Sequence, residues 1–230
     1  MDSIDENIVE ESVAVKTEDY RHIKIRKVFL YSLFKRLFDF FGALVLILLL
    51  SWLFIIIAIL VKCTSKGPIF YVSKRVGKNG KEFRCFKFRS MVVDADKKLE
   101  ALLSQNETEG GVTFKMKDDP RITKFGKFLR KTSLDELPQL FNIFNGTMTF
   151  VGPRPCTPRE YALYNDYQKQ RLLVKQGLTG YWQTHGRSNT TFDEMVEMDL
   201  LYIEKKRGFF YDLGLMFRTV WVVLKHEGAE

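Results

Sequence analysis

The chain has 230 residues, of which 46% are hydrophobic, and its 36 lysines and arginines outnumber 28 aspartates and glutamates for a formal net charge of +8. That length argues against several domains and gives one domain with a real core and at most a small added segment. Three cysteines, Cys63, Cys85 and Cys156, lack metal-ligand spacing and leave one unpaired in any scheme, which argues against a disulfide framework and fits a reduced cytoplasmic setting.

Residues 1–20 are acidic and low in aromatic residues, which predicts a mobile tail. The sequence then turns basic, with Arg21, Lys24, Arg26, Lys27, Lys35 and Arg36 ahead of Phe40–Val61, a run of 22 residues without a charge. Such a run can cross a bilayer, and it starts too late and extends too far for a cleaved secretory signal. Six cations precede it and six follow (Lys62, Lys66, Lys74, Arg75, Lys78 and Lys81), so the charge difference that would orient a spanning helix is nil. Two topologies follow: a span with the basic tail outside, or a re-entrant helix that returns to the cytoplasmic face. The charges favour re-entry. A break inside hydrocarbon calls for Pro, Gly or Ser, and only Ser51, followed by Trp52, is central. The chain thus divides into a tail over 1–31, a membrane helix over 32–61 and a cytoplasmic domain over 62–230.

Beyond the apolar run, SKGPIFYVSKRVGKNGKEFRCFKFRSM predicts two short strands around a turn at Lys78-Asn79-Gly80-Lys81. Alternation puts Phe86 and Phe88 on one face and Lys87 and Arg89 on the other, a face that alone would read as solvated. Residues 92–105 predict a polar helix with an apolar stripe, and Asn106–Lys117 a loop with a Gly pair that could move over a site. A second helix is expected after Asp119-Pro120, with proline in its first turn. Arg121, Lys124, Lys127 and Arg130 recur there every three residues among aromatic ones, which suits an anionic membrane surface or an outward core face. The C-terminal third alternates helical stretches with a Gly-rich loop, GLTGYWQTHGRS. It closes on Phe209–Leu224, an interfacial or core helix because Asp212 and Arg218 interrupt it.

In TSLDELPQLFNIFNGTMTFVGPRP, Asp135 and Glu136 form an acidic pair in a basic and apolar neighbourhood. Ser133 and Glu136 match the S-x-x-E capping box, which accounts for Glu136 without any chemistry. Arg130 lies five residues earlier, and Gly152-Pro153-Arg154-Pro155 forms a rigid turn that would fix a guanidinium. Arginines around a helix N-terminus bind anions. A carboxylate nucleophile beside a second carboxylate able to hold Mg²⁺ is what phosphoryl transfer through an aspartyl-phosphate requires.

The ordered motifs Lys87-Phe88-Arg89-Ser90-Met91, Asp119-Pro120-Arg121-Ile122-Thr123, TSLDELPQL, VGPRP and GLTGYWQTHGRS, spread over about residues 32–227, resemble the bacterial sugar transferase family. These are monotopic polyprenyl-phosphate sugar-1-phosphate transferases. The resemblance implies an α+β, mostly helical fold, anchored by one re-entrant helix, with a short β-hairpin and amphipathic interfacial helices. It implies transfer of a sugar-1-phosphate, of galactose or glucose type, from a UDP-sugar to polyprenyl (undecaprenyl) phosphate with release of UMP. That is the first membrane step of exopolysaccharide or capsule repeat-unit synthesis, at the cytoplasmic face of the cell membrane. By similarity Asp135 would be the nucleophile and Glu136 the Mg²⁺ ligand. Lys87, Arg89, Arg130 and Arg154 would neutralise the phosphates. Two departures stand out: Ser51-Trp52 replaces the family's Ser-Pro, and Gln176 replaces the proline of Pro-Gly-Leu-Thr-Gly.

Anionic membrane lipid is the further expected partner, nucleic acid is not, and the sequence leaves a homo-oligomer open. The competing reading is a non-enzymatic membrane adaptor whose acidic pair serves only as a helix cap. A membrane-tethered nucleic-acid binder would show steeply salt-dependent affinity, but no nucleic-acid motif accompanies the basic residues.

Overall fold

The computed structural model describes residues 21–106, 112, 114, 116–186 and 190–224. The tail expected over 1–20, much of the loop between Asn106 and Lys117, and Arg187-Ser188 of the Gly-rich motif lie outside the described residues. Residues 21–28, also assigned to the tail, are held in place. The Ile23 amide donates to Gln170 Oε1 (2.7 Å), the Arg26 amide to Ile203 O (3.0 Å), and Arg21 pairs with Glu204.

The uncharged run divides into α1 (Tyr31–Leu49) and α2 (Ser51–Thr64), bent by 63°. Among the described residues no single helix is long and apolar enough to cross a membrane; this bent pair suffices by length and composition. The break forms at Ser51 without a proline. Ser51 Oγ donates to the Leu48 carbonyl at 2.8 Å, the Leu50 amide still reaches Leu46 O and the Phe54 amide reaches Leu50 O, so the backbone groups around the break remain bonded.

The hairpin forms as expected, with β1 (Phe70–Val76) antiparallel to β2 (Glu82–Phe88). Asn79 (φ 58°) and Gly80 (φ 74°) supply the left-handed backbone of its turn. Helix α3 (Ala95–Leu102) starts later than expected because the Val92 amide is engaged by the Arg121 carbonyl (2.9 Å).

The helix after Asp119-Pro120 also starts later, which corrects the placement of proline in its first turn. Helix α4 spans Lys124–Lys131, and Thr123 Oγ1 caps it by accepting from the Gly126 amide at 2.9 Å. Arg121 belongs to no basic helix face, for it is buried in a bidentate pair with Asp119 at 2.9 and 2.6 Å.

There follow α5 (Gln139–Asn145), β3 (Thr149–Val151), α6 (Pro158–Leu163) and α7 (Asp166–Lys169). The described part of the predicted Gly-rich loop is instead strand β4 (Gly177–Thr179) and helix α8 (Tyr181–His185). Strands β3 and β4 run parallel, with Thr149 opposite Gly177 and Val151 opposite Thr179. Helix α9 (Phe192–Leu201) continues through a π-helical turn (Tyr202–Lys206) into α10 (Phe209–Leu224). The fold is α+β and mostly helical.

Two apolar clusters hold these elements. The larger joins Ala43 of α1 to Ile143, Met148, Val151, Val196 and Ile203, and the smaller joins Ile57 and Val61 of α2 to Phe88 of β2 and Leu129 of α4. The acidic interruption of α10 is a docking point. Asp212 is buried and accepts from Tyr31 Oη (2.6 Å), Tyr202 Oη (2.7 Å) and Lys35, fastening α10 to the start of α1.

Candidate active site

Directly opposed residues of an antiparallel pair share a face. Tyr71 pairs with Lys87 and Arg75 with Phe83, so Lys87 and Arg75 lie on one face of the hairpin, and Phe86 and Phe88 on the other. The Lys87 face of the hairpin is not solvated as alternation alone suggested. Phe88 is buried on one face, Cys85 on the other, and Lys87 Nζ, with 18% side-chain exposure, sits 2.6 Å from Glu136 Oε1.

Helix α4 ends at Lys131 with Thr132 as its C-cap, and Ser133 takes the left-handed conformation (φ 56°) that glycine usually supplies after a helix. The reversal carries the chain into a 3₁₀ turn, Leu134–Glu136, in which Asp135 is 6% exposed. The capping box does not form: Ser133 makes no side-chain cap bond, and Glu136 turns to Lys87 instead. The helix proper, α5, begins only after Pro138.

Burial pushes the Asp135 carboxyl up to about 6; Lys87 resists most, the charge of Glu136 adds to the rise, and Arg130 and Arg154 resist further. For Glu136 burial acts in the same upward direction, but Lys87 and then Arg154 outweigh it and hold this carboxyl down to about 2. The pair is therefore split: Glu136 is a fixed anion, and Asp135 changes charge just below neutrality.

Arg154 is exposed on the turn after β3, and that turn is seated by close backbone contact. The Gly152 amide donates to Thr179 O and the Gly177 amide to Pro153 O, both at 2.9 Å. A Cβ at Gly177 would lie 2.1 Å from the Gly152 nitrogen, so only glycine permits this approach. Gln176 remains fully buried where it departs from the family pattern, and its carbonyl accepts from the Thr149 amide at 3.0 Å.

Of the predicted residues, the structure brings together Asp135, Glu136, Lys87, Arg130 and Arg154 through the mutual electrostatic influence just described. Arg89 is buried at the C-terminal end of α2. Its Nη2 donates to Ser65 O (2.7 Å) and Ser65 Oγ (2.8 Å), while Nη1 would lie 2.1 Å from a Cβ at Gly67, whose φ is +126°. Arg75 was missed as a site residue and counted only among the flanking charges. It acts on Glu136, and its Nη1 donates to Pro155 O at 3.4 Å. The hairpin register around Lys78–Lys81 was the signal that could have placed it on the same face as Lys87.

Among the described residues no cluster of three or more His, Cys, Asp or Glu side chains could hold a metal. Asp135 and Glu136 are nonetheless hard oxygen donors, and Mg²⁺ is commonly held by one or two carboxylates with substrate phosphates completing its shell. The donor set fits a magnesium ion shared with a phosphate substrate.

Fold and site together define a small helical protein with a bent apolar helix pair and an acidic pair ringed by cations. A family model described as bacterial sugar transferase matches residues 30–226, and the chain belongs to that family. It is 46% identical to galactosyl transferase CpsE of Streptococcus agalactiae serotype III (strain NEM316) over 85% of this chain and 43% of that protein. Undecaprenyl-phosphate galactose phosphotransferase of Salmonella typhimurium is 42% identical, over 85% of this chain and 41% of its own length. Exopolysaccharide production protein ExoY of Rhizobium meliloti (strain 1021) is 41% identical over 85% of this chain and 87% of that protein. The chain thus spans about two fifths of the first of these curated relatives and most of the last.

Proposed function

We propose that this protein transfers a sugar-1-phosphate from a UDP-sugar to a polyprenyl phosphate such as undecaprenyl phosphate, at the cytoplasmic face of the cell membrane. The observation that carries the reading is the buried carboxyl of Asp135 beside Glu136, which Lys87 pairs at 2.6 Å, with the charges of Arg130 and Arg154 acting on it. A diphosphate substrate brings the anionic charge that this ring is built to meet. The relatives' names, with their galactose and undecaprenyl phosphate, agree.

In the reaction, an Asp135 carboxylate oxygen attacks the sugar-bearing phosphorus of the UDP-sugar. The bond from that phosphorus to the bridging oxygen breaks, and the electron pair leaves with UMP. An oxygen of the lipid phosphate then attacks the same phosphorus, giving polyprenyl-diphosphate-sugar and returning Asp135 to its carboxylate. Lys87, Arg130 and Arg154 bind and orient the phosphates and offset the repulsion between nucleophile and substrate. Glu136, with Asp135, would hold Mg²⁺, which supplies charge neutralisation on the phosphate oxygens.

A water-soluble nucleotide sugar must meet a lipid phosphate at the headgroup plane. Val45, Leu48, Leu49, Trp52, Ile55 and Ile59 are exposed along and beyond the bend of α1 and α2, which supports a re-entrant pair dipping into one leaflet. The adaptor reading loses its basis because its helix cap does not form. The test is UMP release across a panel of UDP-sugars with undecaprenyl phosphate; UDP-galactose or UDP-glucose should be turned over, and silence with every donor refutes the proposal.

A further inference from the structure

Arg36 and Asp39 stand just ahead of the uncharged run, where charges read as membrane-flanking residues. Their side chains do something else. Asp39 is 3% exposed and accepts from Thr149 Oγ1 at 2.7 Å and from the Phe150 amide at 3.0 Å, both on β3, the strand that leads into Arg154. Arg36, one turn earlier on the same helix, donates from Nη1 to Ile143 O at 2.9 Å and from Nη2 to Phe144 O at 3.0 Å. Those carbonyls are at the C-terminal end of α5, the helix that follows the acidic pair. Helix α5 in turn grips β2 on either side of Cys85, since Asn142 Oδ1 accepts from the Phe86 amide (2.9 Å) and Nδ2 donates to Arg84 O (2.6 Å). Lys87 is the next residue along that strand.

We infer that Arg36 and Asp39 are positioning residues: one turn of the anchor helix sets Asp135, Lys87 and Arg154 relative to one another, so catalytic geometry depends on how the anchor is seated. The inference rests on the function proposed above. Neither side chain touches the reacting atoms. Asp39 acts through the Thr149 hydroxyl and the Phe150 amide, and Arg36 through two carbonyls at the end of α5, where Ile143 O also accepts from the Gly146 amide at 3.0 Å. A carboxylate held by two donors fixes β3 in position along α1, which apolar packing alone would leave free to slide.

The test uses the full chain in detergent or lipid nanodiscs and two readouts. Amide hydrogen exchange at Phe150 reports the docking, and single-turnover uptake of phosphosugar over a range of UDP-sugar concentrations reports the chemistry. Asp39→Ala should speed Phe150 exchange at least about tenfold, the loss of one buried hydrogen bond. It should also cut the maximal uptake rate about 100-fold, the penalty of an ångström-scale misplacement, while leaving half-saturation within about threefold of wild type. Asp39→Asn keeps an acceptor for the Phe150 amide and should recover most of the rate. Thr149→Val removes one bond only, so it guards against loss of folding, and it should add little to Asp39→Ala in the double variant. Unchanged Phe150 exchange in Asp39→Ala overturns the docking whatever the activity. Faster exchange with an unchanged maximal rate overturns the positioning role. A wild-type chain that takes up no phosphosugar overturns the functional reading, which is a separate failure.

Discussion

Replacing Lys87 with Met should move the acid limb of phosphosugar uptake to higher pH. Asp135 must be ionised to attack, and because its carboxyl lies at about 6, uptake by the wild type should fall as pH drops through that value. Lys87 is the group that most opposes the rise, and it stands 2.6 Å from the neighbouring Glu136. An opposite charge close to a carboxylate lowers its pKa by roughly one to three units, and because Lys87 is paired with Glu136 its removal withdraws on the order of 1–3 kcal/mol of support for the Asp135 anion. At about 1.4 kcal/mol per pKa unit this moves the limb up by roughly one to two units. The shift goes upward because loss of a cation favours the protonated, neutral acid. The assay is intact-protein mass spectrometry of the loaded fraction after fixed short incubations with UDP-sugar, from pH 5 to pH 9. A lower plateau alone would report lost phosphate binding. A limb that stays near 6 in Lys87→Met would refute the electrostatic coupling derived from the geometry.

Gly177→Ala should lower stability by about 1–3 kcal/mol in chemical denaturation, because the new Cβ lies 2.1 Å from the Gly152 nitrogen and must push apart the turn that carries Arg154. Arg171→Leu strands a buried Asp199, which now receives the guanidinium at 2.8 and 2.6 Å, and should cost about 3–5 kcal/mol. At about 2–4 °C per kcal/mol, its midpoint in a thermal melt should fall by roughly 6–20 °C. Excess chelator should stop phosphosugar uptake and added Mg²⁺ should restore it; uptake that continues in chelator would remove the metal from the account.

The hairpin, the apolar final helix and the acidic pair were all legible in the sequence, since each has a local signature. Lys78-Asn79-Gly80-Lys81 needs only its own left-handed residues to turn, and α10 announces itself by an apolar run. What escaped depends on distant partners. Strands β3 and β4 have three residues each and pair across the intervening α6 and α7, so no alternation could reveal them. Glu136 matched a helix-cap pattern, and only Lys87, 49 residues earlier, shows that the carboxylate is used elsewhere. Arg121 kept the rhythm of a basic helix face, yet a carboxylate two residues away took it into the interior. Arg36 and Asp39 resembled flanking charges because hydropathy takes no account of where a side chain ends.

The central claim is that Asp135 carries the phosphosugar. Intact-protein mass spectrometry of the wild type and Asp135→Asn, each incubated with UDP-sugar and Mg²⁺ but no lipid acceptor, tests it most directly. The wild type should gain the mass of one phosphosugar with matching release of UMP, and Asp135→Asn should gain none. The same mass increase on Asp135→Asn would place the nucleophile elsewhere and contradict the account.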